Sequence, residues 1–133
     1  MTEVIQEIDR ERVEMLYKSG ERNFSQLDLS QLDLSGLNLS ESDFSESILN
    51  EVNFNNCNLS TCNFSEANMS HVQLKHSNLI GVDFTLTDLN NAELENVDLS
   101  QSILNEADFG GAIIGNVQFY EAFSKYCNLS EST

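Results

Sequence analysis

The sequence predicts an all-β solenoid, a chain coiled around its own narrow core with a helix over its N-terminal end. Three observations predict it: an apolar phase of five residues that never slips, phenylalanines spaced by twenty within that phase, and an amphipathic stretch ahead of it. Stepping by five from Phe24 gives Leu29, Leu34, Leu39, Phe44, Leu49, Phe54 and so on to Leu129, and 21 of these 22 centres are large and apolar. Ser124 is the exception.

Two residues before each centre a second series runs through Ser42, Ser47, Val52, Cys57, Cys62, Ala67 and Val72 to Cys127, mostly small. Between the two series, 18 of 22 residues are Asn, Asp, Gln or Glu. Alternation at period two is strand chemistry, with both apolar members on one face and the polar one on the other. Two further residues reset the phase, so each unit is a very short extended piece followed by a corner. A helix cannot use this spacing, because five residues advance it by about 500° and scatter the large side chains around the cylinder. A meander needs strands of about five or six residues with Gly- or Pro-containing turns, whereas this chain has six Gly and no Pro.

Phe24, Phe44, Phe64 and Phe84 form an unbroken twenty-residue ladder, which predicts four units per coil and like rings stacked in the core. Ile103 and Phe123, two of the four apolar residues at the middle position, are also twenty apart. Twenty-two units at four per coil make 5.5 coils, roughly 26 Å long at about 4.8 Å per coil. Residues 1–21 are expected to form the helical cap, 22–131 the solenoid and 132–133 a tail.

The cap is predicted from about Val4 to Lys18. Val4, Ile5, Ile8, Val13, Met15 and Leu16 share one broad face, with Glu3, Glu7, Arg10, Glu14 and Lys18 opposite. Gly20 is placed to end the helix in a left-handed conformation. Leu27, Leu32 and Leu37 stand where small residues are the rule, so Ile5, Ile8 and Leu16 are expected to pack on a first coil widened by these leucines. At the other end the aromatics Phe119, Tyr120, Phe123 and Tyr126 crowd around Ser124. They either cover the last coil in place or leave it to a partner or a second copy.

The composition narrows the function. With 22 acidic against 6 basic residues, the formal charge is −16. Direct nucleic-acid binding and anionic membrane surfaces are disfavoured, since both need Lys and Arg. No run approaches the roughly 20 apolar residues of a membrane span. Glu3, Glu7 and Asp9 stand where a secretory signal would be basic and apolar, so the expected location is the cytoplasm. Three Cys fit reduced core thiols better than a disulfide framework.

Units such as Cys57-Asn58-Leu59-Ser60-Thr61, Ala67-Asn68-Met69-Ser70-His71 and Val97-Asp98-Leu99-Ser100-Gln101 resemble the pentapeptide repeat, A(D/N)LXX, over Arg22 to Glu131. The resemblance implies a right-handed β-helix of square section with four repeats per coil. The helix-capped form and the Glu21-Arg22-Asn23-Phe24 entry look most like small cyanobacterial members. Some relatives pair through a C-terminal end, which implies a homodimer as one way to cover that end.

Candidate sites are few. Cys57 and Cys62 lack the convergent partners of a metal site, and His71 and His76 fall at outward corners on different sides. Ser47, Ser77 and Ser102 are expected to be buried structural hydroxyls, and no Gly-rich phosphate loop occurs. The chain is therefore expected to be no enzyme, with no catalytic, cofactor or metal residues. The lead is an outward apolar patch of Leu86, Ile103, Tyr120, Phe123 and Tyr126 on the last coils. It favours a non-enzymatic protein-interaction module with an unidentified protein partner. The alternative is a DNA-mimicking regulator of a type II topoisomerase, DNA gyrase, which the resemblance implies for acidic members. A structural rod is the third class, weakened because no outer side carries a regular Thr ladder.

Overall fold

The computed structural model describes residues 8–133. One helix, α1 (Arg10–Lys18), precedes a run of parallel bridges, each joining a middle-position residue to the one twenty further on. Asn23 pairs with Asp43, Asp28 with Ile48, Asp33 with Asn53 and Asn38 with Asn58, and the register holds to Asp108 with Asn128. Four units therefore complete a coil, and the chain is a β-solenoid. Most straight pieces are long enough for a single bridge. At one corner they run together into two parallel strands, β1 (Glu93–Asp98) and β2 (Ile113–Gln118), with Glu93 opposite Ile113.

The unit Cys62–Glu66 shows why the sequence holds this shape. The Cys62 N–H donates to Leu59 O (3.1 Å) across its own corner. Asn63 N–H reaches back to Ser42 O (3.0 Å), while Phe64 and Glu66 N–H reach forward to Asp83 O (2.8 Å) and Thr85 O (2.9 Å). The fifth donor, Ser65 N–H, takes the Asn63 side-chain Oδ1 at 2.9 Å. All five N–H groups are thus satisfied, as a packed backbone requires. The last bond is an Asx turn, which explains the short polar residue in the middle.

Every one of the fifteen Asn and Asp residues at the middle position makes this turn. Gln73, Glu93 and Gln118 do not, because one more methylene carries the acceptor past the N–H. At Gln73 the coil below substitutes, with Asn55 Oδ1 accepting from Lys75 N–H at 2.8 Å. The corner residue that follows is left-handed throughout: Gln26 at φ 57°, Glu66 at 59°, His71 at 58°. That conformation costs a non-glycine residue roughly 1–2 kcal/mol. Among these corners only Gly36, Gly81 and Gly111 avoid the cost; in the coils before the last, the bonds to the next coil offset it.

Inside, Phe24, Phe44, Phe64 and Phe84 are fully buried and stacked, with successive centroids 5.3, 5.3 and 5.4 Å apart. Phe54 meets Phe44 and Phe64 edge-on at 5.9 Å. Edge-on and offset contacts are the favourable ones for aromatic quadrupoles. Ser77 and Ser102 are buried and donate to the carbonyls of Leu74 and Leu99 (both 2.6 Å), and Ser47 donates to Phe44 O.

The described helix begins later than expected. Asp9, not a residue near Val4, is the N-cap; its Oδ1 accepts from Arg12 N–H at 2.9 Å, so the helix starts at Arg10. Ile5, with Val4, lies outside the described residues. Gly20, at φ 103°, ends the helix: its N–H donates to Tyr17 O and that of Glu21 to Leu16 O, a Schellman pair. Met15 is not on the packed face but exposed, because it sits about 200° around the helix from Val13, which is fully buried. Tyr17 takes its place, and Ile8, Leu16, Leu27, Leu32 and Leu37 pack half-buried with it against the core.

The helix also bonds to the first coil. Interior coils receive N–H donors at their middle and first corner carbonyls from the coil before, and the first coil has none before it. Arg10 Nη1 donates instead to Asp33 O (3.1 Å) and Ser35 O (2.9 Å), and Tyr17 OH to Ser40 O (3.0 Å). Arg22 ties the joint together, its guanidinium 3.6 Å from the Tyr17 ring centre and its Nη1 on Tyr17 O. Among the described residues no helix is long and apolar enough to cross a membrane.

Candidate protein-interaction surface

The last coil is built from the same unit, and among the described residues no further coil receives its inward residues. Ser132 and Thr133, expected to be a tail, continue the coil: Thr133 N–H donates to Ala112 O, and Ile114 N–H to Thr133 O. Column by column, the core position that holds Phe24, Phe44, Phe64 and Phe84 continues as Leu104 and then Ser124. The side-chain volume tapers along this wall and leaves a cavity of about 280 Å³ open at the end. Its floor is Leu94, Leu99, Leu104 and Phe109; its rim includes Phe119, Ser124, Cys127 and Leu129. The core centres Phe119 and Leu129 are half exposed as a result.

The aromatics do not close this mouth. Tyr120, Phe123 and Tyr126 occupy outward positions of the repeat and are 71%, 69% and 78% exposed. Covering the coil in place, one of the two sequence expectations for this end, is therefore corrected by the alternation of the strand itself. Phe123 lies directly over Ile103, its bridge partner, in the middle of one side. Tyr120 and Tyr126 stand at the two corners flanking Phe123, and Lys125 Nζ lies 5.3 Å from the Tyr126 ring. Asn105 Oδ1 accepts Lys125 N–H at 3.0 Å, replacing the Asx turn that Phe123 cannot make. Leu86 is exposed too, but it stands two coils below Tyr126 in the same corner column with Glu106 between. The structure thus stacks Phe123 on Ile103, with Tyr120 and Tyr126 at the corners on either side, and sets Leu86 apart. The signal for the open mouth was present in the sequence as Ser124, read there as a break in the phase and not as lost volume.

The remaining polar side chains offer no converging chemistry. Cys57 and Cys62 donate to the carbonyls of Leu34 (3.0 Å) and Leu39 (3.1 Å), and burial pushes their thiols up to about 11 and about 12. Cys127, half-buried at the mouth, is raised by the same cause. His71 and His76 are exposed corners. Among the described residues no group of His, Cys, Asp and Glu is placed to hold a metal.

Two family models match the chain: the pentapeptide repeat region over residues 56–131, and pentapeptide repeats in eight copies over 23–60. No curated protein matches it as a relative. Among solved structures it is similar to HetL of the cyanobacterium Nostoc sp. strain PCC 7120, a protein involved in heterocyst differentiation regulation. The two are 24% identical with a TM-score of 0.81 over 84% of this chain and 47% of HetL. A pentapeptide repeat protein of the Arabidopsis thaliana thylakoid lumen is 29% identical, with a TM-score of 0.60 over 74% of this chain and 62% of its own. Rfr23 of the cyanobacterium Cyanothece 51142 is 20% identical, with a TM-score of 0.62 over 91% of this chain and 97% of its own. The chain spans less than two thirds of the length of HetL and of the lumenal protein.

Proposed function

The chain belongs to the pentapeptide repeat family, and from that premise we propose that it is a non-enzymatic protein-interaction module, a right-handed rod of square section whose last coils dock a protein partner. The observation that supports this reading is the grouping of Tyr120, Phe123 and Tyr126 over Ile103 beside an apolar mouth. Isolated exposed apolar residues are ordinary, whereas a contiguous aromatic group at the edge of a pocket is the composition of an interaction hot spot. The sides of the rod are acidic and sealed by their own Asx turns, which leaves little for a partner to hold. The partner is captured by pull-down with the full-length protein. Phe123→Ser with Ile103→Ser is expected to lose it, and an unchanged set of captured proteins overturns the reading. Sizing separates a single rod from two joined through their C-terminal ends, which would be about twice as long.

A second reading rests on the net charge of −16: an acidic rod presenting DNA-like charge to DNA gyrase. Its test is gyrase supercoiling with added protein. Inhibition that is relieved by salt supports it, because the attraction would be between charged surfaces, and no effect at high micromolar protein removes it.

A further inference from the structure

One corner of the rod departs from its own rule in two places. The second residue after Phe24 and after each residue above it in that core column stands at this corner: Gln26, Glu46, Glu66, Leu86, Glu106 and Tyr126. All six are left-handed, with φ between 56° and 60°. A bulky apolar side chain gains nothing there, because the conformation is costly for any residue with a Cβ and the position faces water. Leu86 and Tyr126 are nonetheless 50% and 78% exposed, while Gln and Glu serve the fold in the rest of the column. The two flank Glu106, an exposed carboxylate with no ion pair among the described residues.

Backbone bonds hold this corner in line. Leu86 N–H donates to Asn105 O (3.0 Å) and Glu106 N–H to Lys125 O (2.7 Å), while Asn105 Oδ1 accepts Lys125 N–H (3.0 Å). Between these coils lies an open notch of about 340 Å³, lined by Thr85, Asn105, Glu106, Lys125 and Tyr126. The Tyr126 ring is placed to take a cation. Lys125 Nζ stands over it, 5.3 Å from its centre, within the roughly 6 Å at which a ring quadrupole attracts positive charge.

We propose that this notch is an arginine subsite, taking the guanidinium of one arginine of a protein partner, stacked on Tyr126 and paired with Glu106. It deepens the interaction reading above and rests on it. A guanidinium is planar, so it lies on a ring and still turns its N–H fork to a carboxylate; a lysine ammonium is a compact, strongly hydrated point charge. Charge selects a basic segment over a second copy, since a rod of net charge −16 repels its own kind. Glu66 stands two coils below Glu106 in the same column, about 10 Å away at the spacing of stacked strands. An extended chain covers that distance in about three residues. The segment that fits therefore carries a second basic residue three positions from the arginine, and Leu86 is the apolar footing between the two carboxylates. In the free protein Lys125 competes for the ring.

The test is an NMR titration of the full-length protein with a six-residue peptide that has arginines at its second and fifth positions, alanines between them and serines at its ends. Salt is held at about 0.15 M, which screens charges more than roughly 8 Å apart and leaves the contacts within the notch. The expected result is saturable, roughly millimolar binding, with shifts concentrated at Leu86, Glu106, Lys125 and Tyr126. The lysine version of the peptide should bind about fivefold more weakly, and the citrulline version, which is uncharged, should not bind measurably. Tyr126→Leu should erase the preference for arginine over lysine, and Glu106→Gln should weaken the arginine peptide. Lys125→Met should tighten it by removing the competing cation, a gain that damage to the fold would not produce. Shifts spread evenly over the acidic sides, equal affinity for the two basic peptides, or a Lys125→Met variant that binds no more tightly overturns the proposal. The two readings fail separately. If the peptide fails but Phe123→Ser with Ile103→Ser still loses the captured partner, the subsite falls and the interaction surface stands. If the peptide seats in the notch while that double variant leaves the captured proteins unchanged, the subsite stands and the wider surface falls.

Discussion

Cys62 occupies the carbonyl that Ser42 would be expected to use. Ser47, Ser77 and Ser102 each donate to the carbonyl three residues back, which for Ser42 is Leu39 O. The Cys62 thiol, stacked one coil above Ser42, lies 3.1 Å from that oxygen, and the buried Ser42 hydroxyl has no partner. A buried hydroxyl without a bond costs about 1–3 kcal/mol, whereas a satisfied one contributes about 1 kcal/mol. Ser42→Ala is therefore expected to leave the denaturation midpoint unchanged or raise it, and Ser102→Ala to lower it by about 1 kcal/mol of stability. Urea titration of both variants measures the difference, and equal losses would refute the assignment.

The Asx turn makes a second contrast. Asn63→Ala strands the Ser65 N–H and should cost about 1 kcal/mol. Ile48 holds a middle position with no acceptor to offer Asn50 and is 44% exposed. Ile48→Asn should therefore raise stability by roughly 0.5–1 kcal/mol. The same titration decides it, and a loss on Ile48→Asn would show that packing across that side outweighs the turn.

Asp33 accepts from both the side chain and the N–H of Ser35 (2.6 and 3.0 Å), and these bonds, with a small contribution from Arg10, lower its pKa below the usual 3.8. Asp28 is lowered by the matching pair from Ser30. A folded-state pKa below the unfolded value means that the contribution is present above about pH 4 and fades as pH falls through the lowered value. Carboxyl NMR titration should place Asp33 below 3.8, and Ser35→Ala should move it upward.

The thiols should separate kinetically. Cys62 and Cys57, pushed up to about 12 and about 11 by burial, carry almost no thiolate at pH 8 and are closed to reagents. Cys127, half-buried at the mouth, should react first, giving one fast equivalent in the native protein and three in denaturant. Fast modification of all three in the native state would contradict the packing.

The five-residue phase, the twenty-residue coil and the Phe24–Phe84 column were legible from residue types alone, because each inward position meets the same environment and a repeat writes that environment into every unit. The outward aromatics were legible for the same reason: Phe123 and Tyr126 break the rule for their positions. Other features depended on where atoms lie. The helix begins at Arg10 because Asp9 caps it, and Met15 turns outward because the helix docks through Val13, Leu16 and Tyr17. Asn and Asp differ from Gln and Glu at the middle position by one methylene of reach to an N–H, which polarity alone does not register. The competition between Cys62 and Ser42 for one carbonyl and the open mouth beside Ser124 arise between residues about twenty or more apart. They depend on distance and direction across coils, which a linear pattern does not carry.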